Sequence, residues 1–265
     1  MYVDSHTHLE APQFDGDREE VIARALQAGV NRIIVAGSNL SSSRKAVEIA
    51  AHHDEVFAAV GFHPHDAAAF DSAAREELLS LTRQAKVVAI GEIGLDFYWD
   101  RSPREAQVAA FRSQLTLAQE VHVPVIIHVR DAFDAVAPLL REWIAEQGTR
   151  VSQAERGVLH CFSGDMDFAR FCLEVGFLIS FAGPLTYPNA DRLESVARAV
   201  PLDKILVETD SPYLAPQRFR GQRNEPAHVV EVGRRLAEIR GLPEEQVAEW
   251  TTSNATRLFG GLAMP

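Results

Sequence analysis

The sequence predicts an α/β fold: a single (β/α)₈ TIM barrel over residues 1–265 with an extra C-terminal helix. Three observations lead there. Short runs rich in Val and Ile alternate with longer stretches of helical periodicity, the rhythm of βα units around a parallel sheet. Histidines and carboxylates stop those runs at the first strand and at the last. One site containing both ends requires those two strands to be neighbours, as closure of a barrel makes them. No G-x-G-x-x-G follows a strand, so the open doubly wound sheet lacks its usual dinucleotide fingerprint.

The elements follow in order. Tyr2 to Ser5 reads as a strand ending in His6-Thr7-His8, and Arg18 to Ala28 returns the chain as a helix. Arg32 to Ala36 with Ser43 to His53, and Val56 to Gly61 with Ala73 to Gln84, form the next two units. Val87 to Gly91 stops at Glu92 and precedes a helix over Glu105 to Val121. Val125 to His128 leads into Phe133 to Glu146, and Gly157 to Cys161 into Met166 to Glu174. Phe177 to Phe181 is followed by Ala190 to Ala199, and Lys204 to Glu208 by His228 to Ile239. The added helix, Glu244 to Phe259, opens after Pro243, where the fixed φ of proline suits a first turn. No stretch reads as a linker or a second domain.

Composition narrows the classes. At 46% hydrophobic and 24% charged, the chain can bury a full core. A net charge of −11 excludes a protein that wraps long nucleic acid by neutralising phosphates, which needs an extended basic face. Cys161 and Cys172 lie in apolar surroundings and read as reduced core thiols. The N-terminus has no signal-peptide pattern. No apolar run approaches the roughly 18 to 20 residues of a membrane span. A cytoplasmic protein without membrane attachment or an obligate protein partner is expected.

Chemistry in such a barrel sits where the strands end. Residues two apart on a strand point the same way, so His6 and His8 converge. Glu92, His128, His160 and Asp210 end the fourth, fifth, sixth and eighth strands. Any one of these histidines alone reads as a hydrogen-bonded rim residue. Six ligand-type side chains on one face read as a metal site, and six exceed the three protein ligands of a typical catalytic zinc. Two divalent ions are therefore expected, of which Mg²⁺, Mn²⁺ and Zn²⁺ are the candidates. The lysines, Lys45, Lys86 and Lys204, do not end strands, so a carbamylated lysine cannot bridge the ions and Glu92 is left to do so. Ions about 3.5 to 4 Å apart would share a water whose pKa they lower, providing a nucleophile near neutral pH.

Around this set, His63 and His65 flank a proline after the third strand and are expected to meet substrate or protonate a leaving oxygen. Asp96, Arg130 and Arg223 extend the rim as candidate substrate-binding residues, arginine because its planar fork suits phosphate. Glu208, two residues before Asp210, points inward and is placed to orient a ligating histidine from behind. His52, His53, His122 and His228 fall in or beside helices and read as surface or packing residues.

The runs D-S-H-T-H (4 to 8), G-F-H-P-H (61 to 65), G-E-I-G-L-D (91 to 96) and H-V-R-D-A (128 to 132) resemble those of the TatD family of metal-dependent deoxyribonucleases. So do H-C-F-S-G (160 to 164), E-T-D-S-P-Y-L (208 to 214) and R-N-E-P (223 to 226), in the family's order and across almost the whole chain. The resemblance implies a barrel of the metallo-dependent hydrolase type that hydrolyses phosphodiester bonds in DNA, commonly from a 3′ end. It implies that His6, His8 and Asp210 hold one ion, His128 and His160 the other, and Glu92 both. Asp210 then also takes the proton of the attacking water or orients it, so Asp210 and Glu92 are the catalytic pair. Gln222 stands where relatives often have lysine, and Gln217 interrupts a stretch often richer in proline.

The substrate expected is a DNA end or single-stranded DNA, with RNA as a second candidate, because a local positive centre can hold terminal nucleotides on an acidic protein. Hydrolysis of a small cyclic amide, lactone or acyl ester is the alternative, and a non-catalytic, metal-stabilised interaction module the third reading.

Overall fold

The computed structural model describes residues 1–147 and 156–262; the remaining stretches of the expected domain lie outside the described residues. The first half runs β1 (Tyr2–Thr7), α1 (Arg18–Gln27), β2 (Val30–Ala36), α2 (Leu40–His52), β3 (Val56–Val60), α3 (Ser72–Leu81), β4 (Val87–Asp96) and α4 (Arg104–Val121). The second half runs β5 (Val125–Arg130), α5 (Phe133–Gln147), β6 (Gly157–Leu159), α6 (Met166–Glu174), β7 (Phe177–Phe181), α7 (Asp191–Ala199), β8 (Ile205–Val207), α8 (Val229–Arg240) and α9 (Glu244–Phe259). Every strand pairs in parallel with the next, in the order β1 to β8.

The seam between β8 and β1 closes beyond the last residue of β8. Thr7 bridges Ser211. The amide of Asp210 donates to the His6 carbonyl (2.9 Å) and that of His8 to the Ser211 carbonyl (2.7 Å). Buried Asp4 accepts the Thr209 amide at 2.8 Å and its hydroxyl at 2.5 Å, which ties the two strands together behind the mouth. The first and last strands are neighbours, as the barrel requires.

Alternation along the strands sorts the core into two layers. Val3, Ile34, Phe57, Val88, Ile126, Val158, Leu178 and Leu206, one from each strand, fill the barrel interior. Ile33, Val35, Ile127 and Ile179, beside them in sequence, face the surrounding helices. The inner cluster also includes Ala255, Leu258 and Phe259 of α9, with Leu262 after it. The added helix therefore caps the bottom of the barrel, opposite the polar strand ends.

Strand ends differ from expectation, most at β4, β6 and β8. β4 continues five residues past Gly91, pairing as far as Asp96 with Arg130, and its register shifts between Ile90 and Ile93. β6 and β8 stop after three residues, so His160 and Glu208 lie just beyond them. No helix among the described residues is long and apolar enough to cross a membrane.

Candidate metal centre at the barrel mouth

His6, His8, Glu92, His128, His160 and Asp210 meet at the C-terminal end of the barrel. The Nε2 atoms of His6 and His8 are 3.2 Å apart. Glu92 Oε2 lies 3.5 and 3.4 Å from them, and Asp210 Oδ1 3.6 and 3.5 Å. Donor atoms so spaced are neighbours on a shell of radius about 2.0 to 2.2 Å, the size set by a zinc-like ion.

The other oxygen of Glu92 faces a second group. Oε1 lies 3.0 Å from His128 Nδ1 and 2.8 Å from His160 Nε2, and those nitrogens are 3.2 Å apart. His63 Nε2 stands 3.4 Å from the same oxygen. The imidazoles of His6 and His160 stack at 4.0 Å, so the two groups share a wall. Glu92 is 3% exposed, and carboxylates and imidazoles packed so closely away from water are costly unless a cation compensates them. The donor set and its spacing fit divalent ions.

The way β1 delivers its pair departs from simple alternation. Val3 faces the barrel interior, and Ser5 reaches Ser180 of β7 across it (3.2 Å). Strict alternation would then send Thr7 inward. The register of β1 on β2 shifts between Asp4 and Thr7, and from there His6 and His8 take the inward positions. Asp210 occupies left-handed backbone (φ 56°), a conformation Asp tolerates better than most residues.

Most of these rings are fixed from behind. Asp96 Oδ2 lies 3.2 Å from His128 Nε2 and 3.0 Å from His65 Nε2, while Oδ1 accepts the amides of Tyr98 and Trp99. Glu208 Oε1 stands 3.2 Å from His160 Nδ1 and accepts the Cys161 amide. His8 Nδ1 has the Ala36 carbonyl at 3.0 Å and Glu10 Oε1 at 3.2 Å. Such partners fix which nitrogen faces the centre. The exceptions are His6, whose buried Nδ1 has no partner, and His63. His63 Nδ1 accepts the His65 amide (3.1 Å), so the neutral ring carries its proton on Nε2, facing Glu92.

Charge follows the same geometry. Burial works against protonation of His8, but Glu10, Asp210 and Glu92 outweigh it and hold its pKa well above the usual imidazole range. Against the same penalty, Glu92 and Glu208 hold His160 well above that range, and Asp96 and Glu92 raise His128. Burial pushes His63 well below it despite Glu92, and lowers His65 despite Asp96. Glu92 and Asp210 are buried, which favours their acid forms, yet the surrounding imidazoles bring both below the ordinary carboxylate value.

Two of the residues expected at the rim, Asp96 and Arg223, are engaged by other side chains. Asp96, expected to bind substrate, is 1% exposed and its oxygens already have partners in two imidazoles and two loop amides. Arg223 is paired with Asp17 (2.6 and 2.8 Å) and draws that carboxyl down to about 2, against a lesser opposing effect of burial. Asn224, beside it, donates to the carbonyls of Thr209 and Tyr213, and Glu225 pairs with Arg24. The R-N-E-P run thus locks the loop that carries Asp210 against α1. Arg130 lies exposed over the Tyr98 ring. Sequence reasoning missed Glu10 and Asn224. Glu10 carried a usable signal, its spacing of two from His8.

Known proteins match this chain in sequence and in fold. A family model described as TatD-related DNase matches residues 3–260. The chain is 43% identical over 259 residues to the uncharacterized metal-dependent hydrolase YabD of Bacillus subtilis, covering 98% of this chain and 99% of that one. It is 36% identical over 262 residues to the 3′-5′ ssDNA/RNA exonuclease TatD of Klebsiella pneumoniae, covering 97% of each. Among solved structures, the TatD homolog YJJV of Escherichia coli superposes with a TM-score of 0.90 at 33% identity, over 100% of this chain and 98% of that one.

Proposed function

The chain belongs to the TatD-related DNase family of metal-dependent hydrolases, and from that premise we propose that it is a deoxyribonuclease that trims single-stranded DNA from 3′ ends, with RNA as a second substrate. The carrying observation is the division of Glu92, whose two oxygens face different nitrogen sets. That division supports a pair of divalent ions, with His6, His8 and Asp210 on one and His128 and His160 on the other. Mg²⁺, Mn²⁺ and Zn²⁺ all remain candidates for the native metal. Ions bound there supply an activated water and charge neutralisation for a phosphodiester.

The chain's own residues do the rest. Asp210 takes the proton of the attacking water, because its carboxylate stands beside both His6 and His8 with its pKa lowered. His63 presents Nε2–H to a non-bridging phosphate oxygen or to the leaving oxygen; its neutral form at pH 7 follows from burial. His65, anchored by Asp96, walls the same side. Asp96, Glu208 and Glu10 keep the inner rings aimed. The relative named a ssDNA/RNA exonuclease supports the substrate class, and a cytoplasmic location belongs to the same proposal.

The test offers metal-loaded protein end-labelled single-stranded DNA, duplex DNA and RNA beside amide and ester substrates. Stepwise shortening of single strands from the 3′ end is expected, and Glu92→Ala is expected to abolish it. Turnover of amides or esters alone would transfer the site to carbon-centred hydrolysis.

A further inference from the structure

The loop after β4 carries an aromatic pair that no step above uses. Tyr98 and Trp99 are 56% and 50% exposed, with ring centroids 5.1 Å apart and planes at 90°. Single exposed apolar residues need no explanation, but these two are adjacent and their backbone is held, since both amides donate to Asp96 Oδ1. The other oxygen of that carboxylate lies 3.2 Å from the His128 ring. The pair is therefore fastened directly to the back of the metal centre.

Cations surround it. Arg130, two residues beyond His128 on β5, lies with its guanidinium 4.2 Å from the Tyr98 ring centre and 5.6 Å from that of Trp99. Arg101 lies 5.4 Å over Trp99. Neither forms an ion pair among the described residues, whereas Asp100, beside Arg101 in the chain, is paired with Arg104. On a chain of net charge −11, two guanidinium groups left for an outside anion beside two open rings make a local and specific combination. Across the mouth the loop after β8 also exposes an aromatic ring, Tyr213, 6.0 Å from His8, so the centre lies between two aromatic rims.

We propose that Tyr98, Trp99, Arg101 and Arg130 form a stacking subsite for the unpaired bases of a single-stranded polynucleotide whose end occupies the metal centre, the rings taking base faces and the arginines the phosphates. The inference rests on the nuclease reading and gives it a binding track. Every base has a face to stack, so the subsite is indifferent to sequence, and a duplex, whose bases are already stacked, gains nothing from it.

The experiment compares wild type, Trp99→Ala and Trp99→Phe, all metal-loaded, on oligothymidylates of two to six nucleotides. Wild-type KM is expected to fall as the substrate lengthens. Trp99→Ala should flatten that dependence, raising KM for the hexamer by at least about fivefold, and Trp99→Phe should restore it. In parallel, a phosphorothioate hexathymidylate should quench tryptophan fluorescence in wild type and not in Trp99→Ala, since Trp143 is buried and Trp250 lies on α9 at the opposite end. Cleavage by wild type with unchanged KM and quenching in Trp99→Ala overturns the subsite and leaves the nuclease. Trp99-dependent quenching without cleavage keeps the subsite and removes the nuclease. If wild type neither cleaves nor binds, both fall. A wild-type dimer that Trp99→Ala disperses without a change in KM assigns the patch to a second copy of the chain.

Discussion

Asp96 shows how contacts add to what a motif suggests about a residue. Its position at the end of G-E-I-G-L-D marked it for the mouth, but its carboxylate is divided between two imidazoles on one oxygen and two loop amides on the other. Replacing it with Asn keeps the shape and removes the charge that orients and raises His128. Asp96→Asn is expected to weaken metal affinity about 10- to 100-fold, the usual cost of losing such a partner, and a competitive Mn²⁺ titration measures it. The six inner side chains were legible because each stands where an apolar run stops. Glu10 carried a signal in its spacing of two from His8 that went unused, whereas Asn224 and the pairing of Arg223 with Asp17 carried none. Asn224 turns back onto its own loop and Arg223 reaches the other end of the chain, and how loops fold over one another is not encoded in residue type and local spacing.

At the scale of elements, the strand and helix rhythm was readable because buried parallel strands are continuous apolar runs and the helices between them are amphipathic. The ends were less so. The continuation of β4 to Asp96 depends on pairing with β5, and the inward turn of His6 depends on a register shift in β1; both are properties of the sheet. The task of α9 was equally hidden, because its helical pattern does not say which surface it covers. It caps the barrel floor with Leu258 and Phe259, which are 6% and 4% exposed. Phe259→Ala is expected to destabilise the fold by about 3 to 5 kcal/mol, read by denaturant unfolding, with metal uptake retained in the folded protein.

Over the whole molecule, closure of the sheet gathers strand ends from residue 6 to residue 210 into one charged pocket, and this couples stability to pH and metal. The folded pKa values of His8, His128 and His160 lie above the unfolded imidazole value near 6.5. In the metal-free protein they contribute stability that is fully present below that value and lost as pH rises through the folded values. His63 and His65 act in the opposite sense and only as pH falls below about 6.5, so the range from about pH 7 to about pH 9 isolates the first group. Metal displaces the same protons, and its affinity should rise with pH. The gain in melting temperature on saturation with Mn²⁺ is therefore expected to grow across that range; a constant gain would separate metal binding from these histidines. The proposed pair of ions bridged by Glu92 can be seen directly by anomalous diffraction from crystals soaked in Mn²⁺. Two peaks about 3.5 to 4 Å apart are expected, one on each side of the Glu92 carboxylate. A single peak, or none within reach of Glu92, would contradict it.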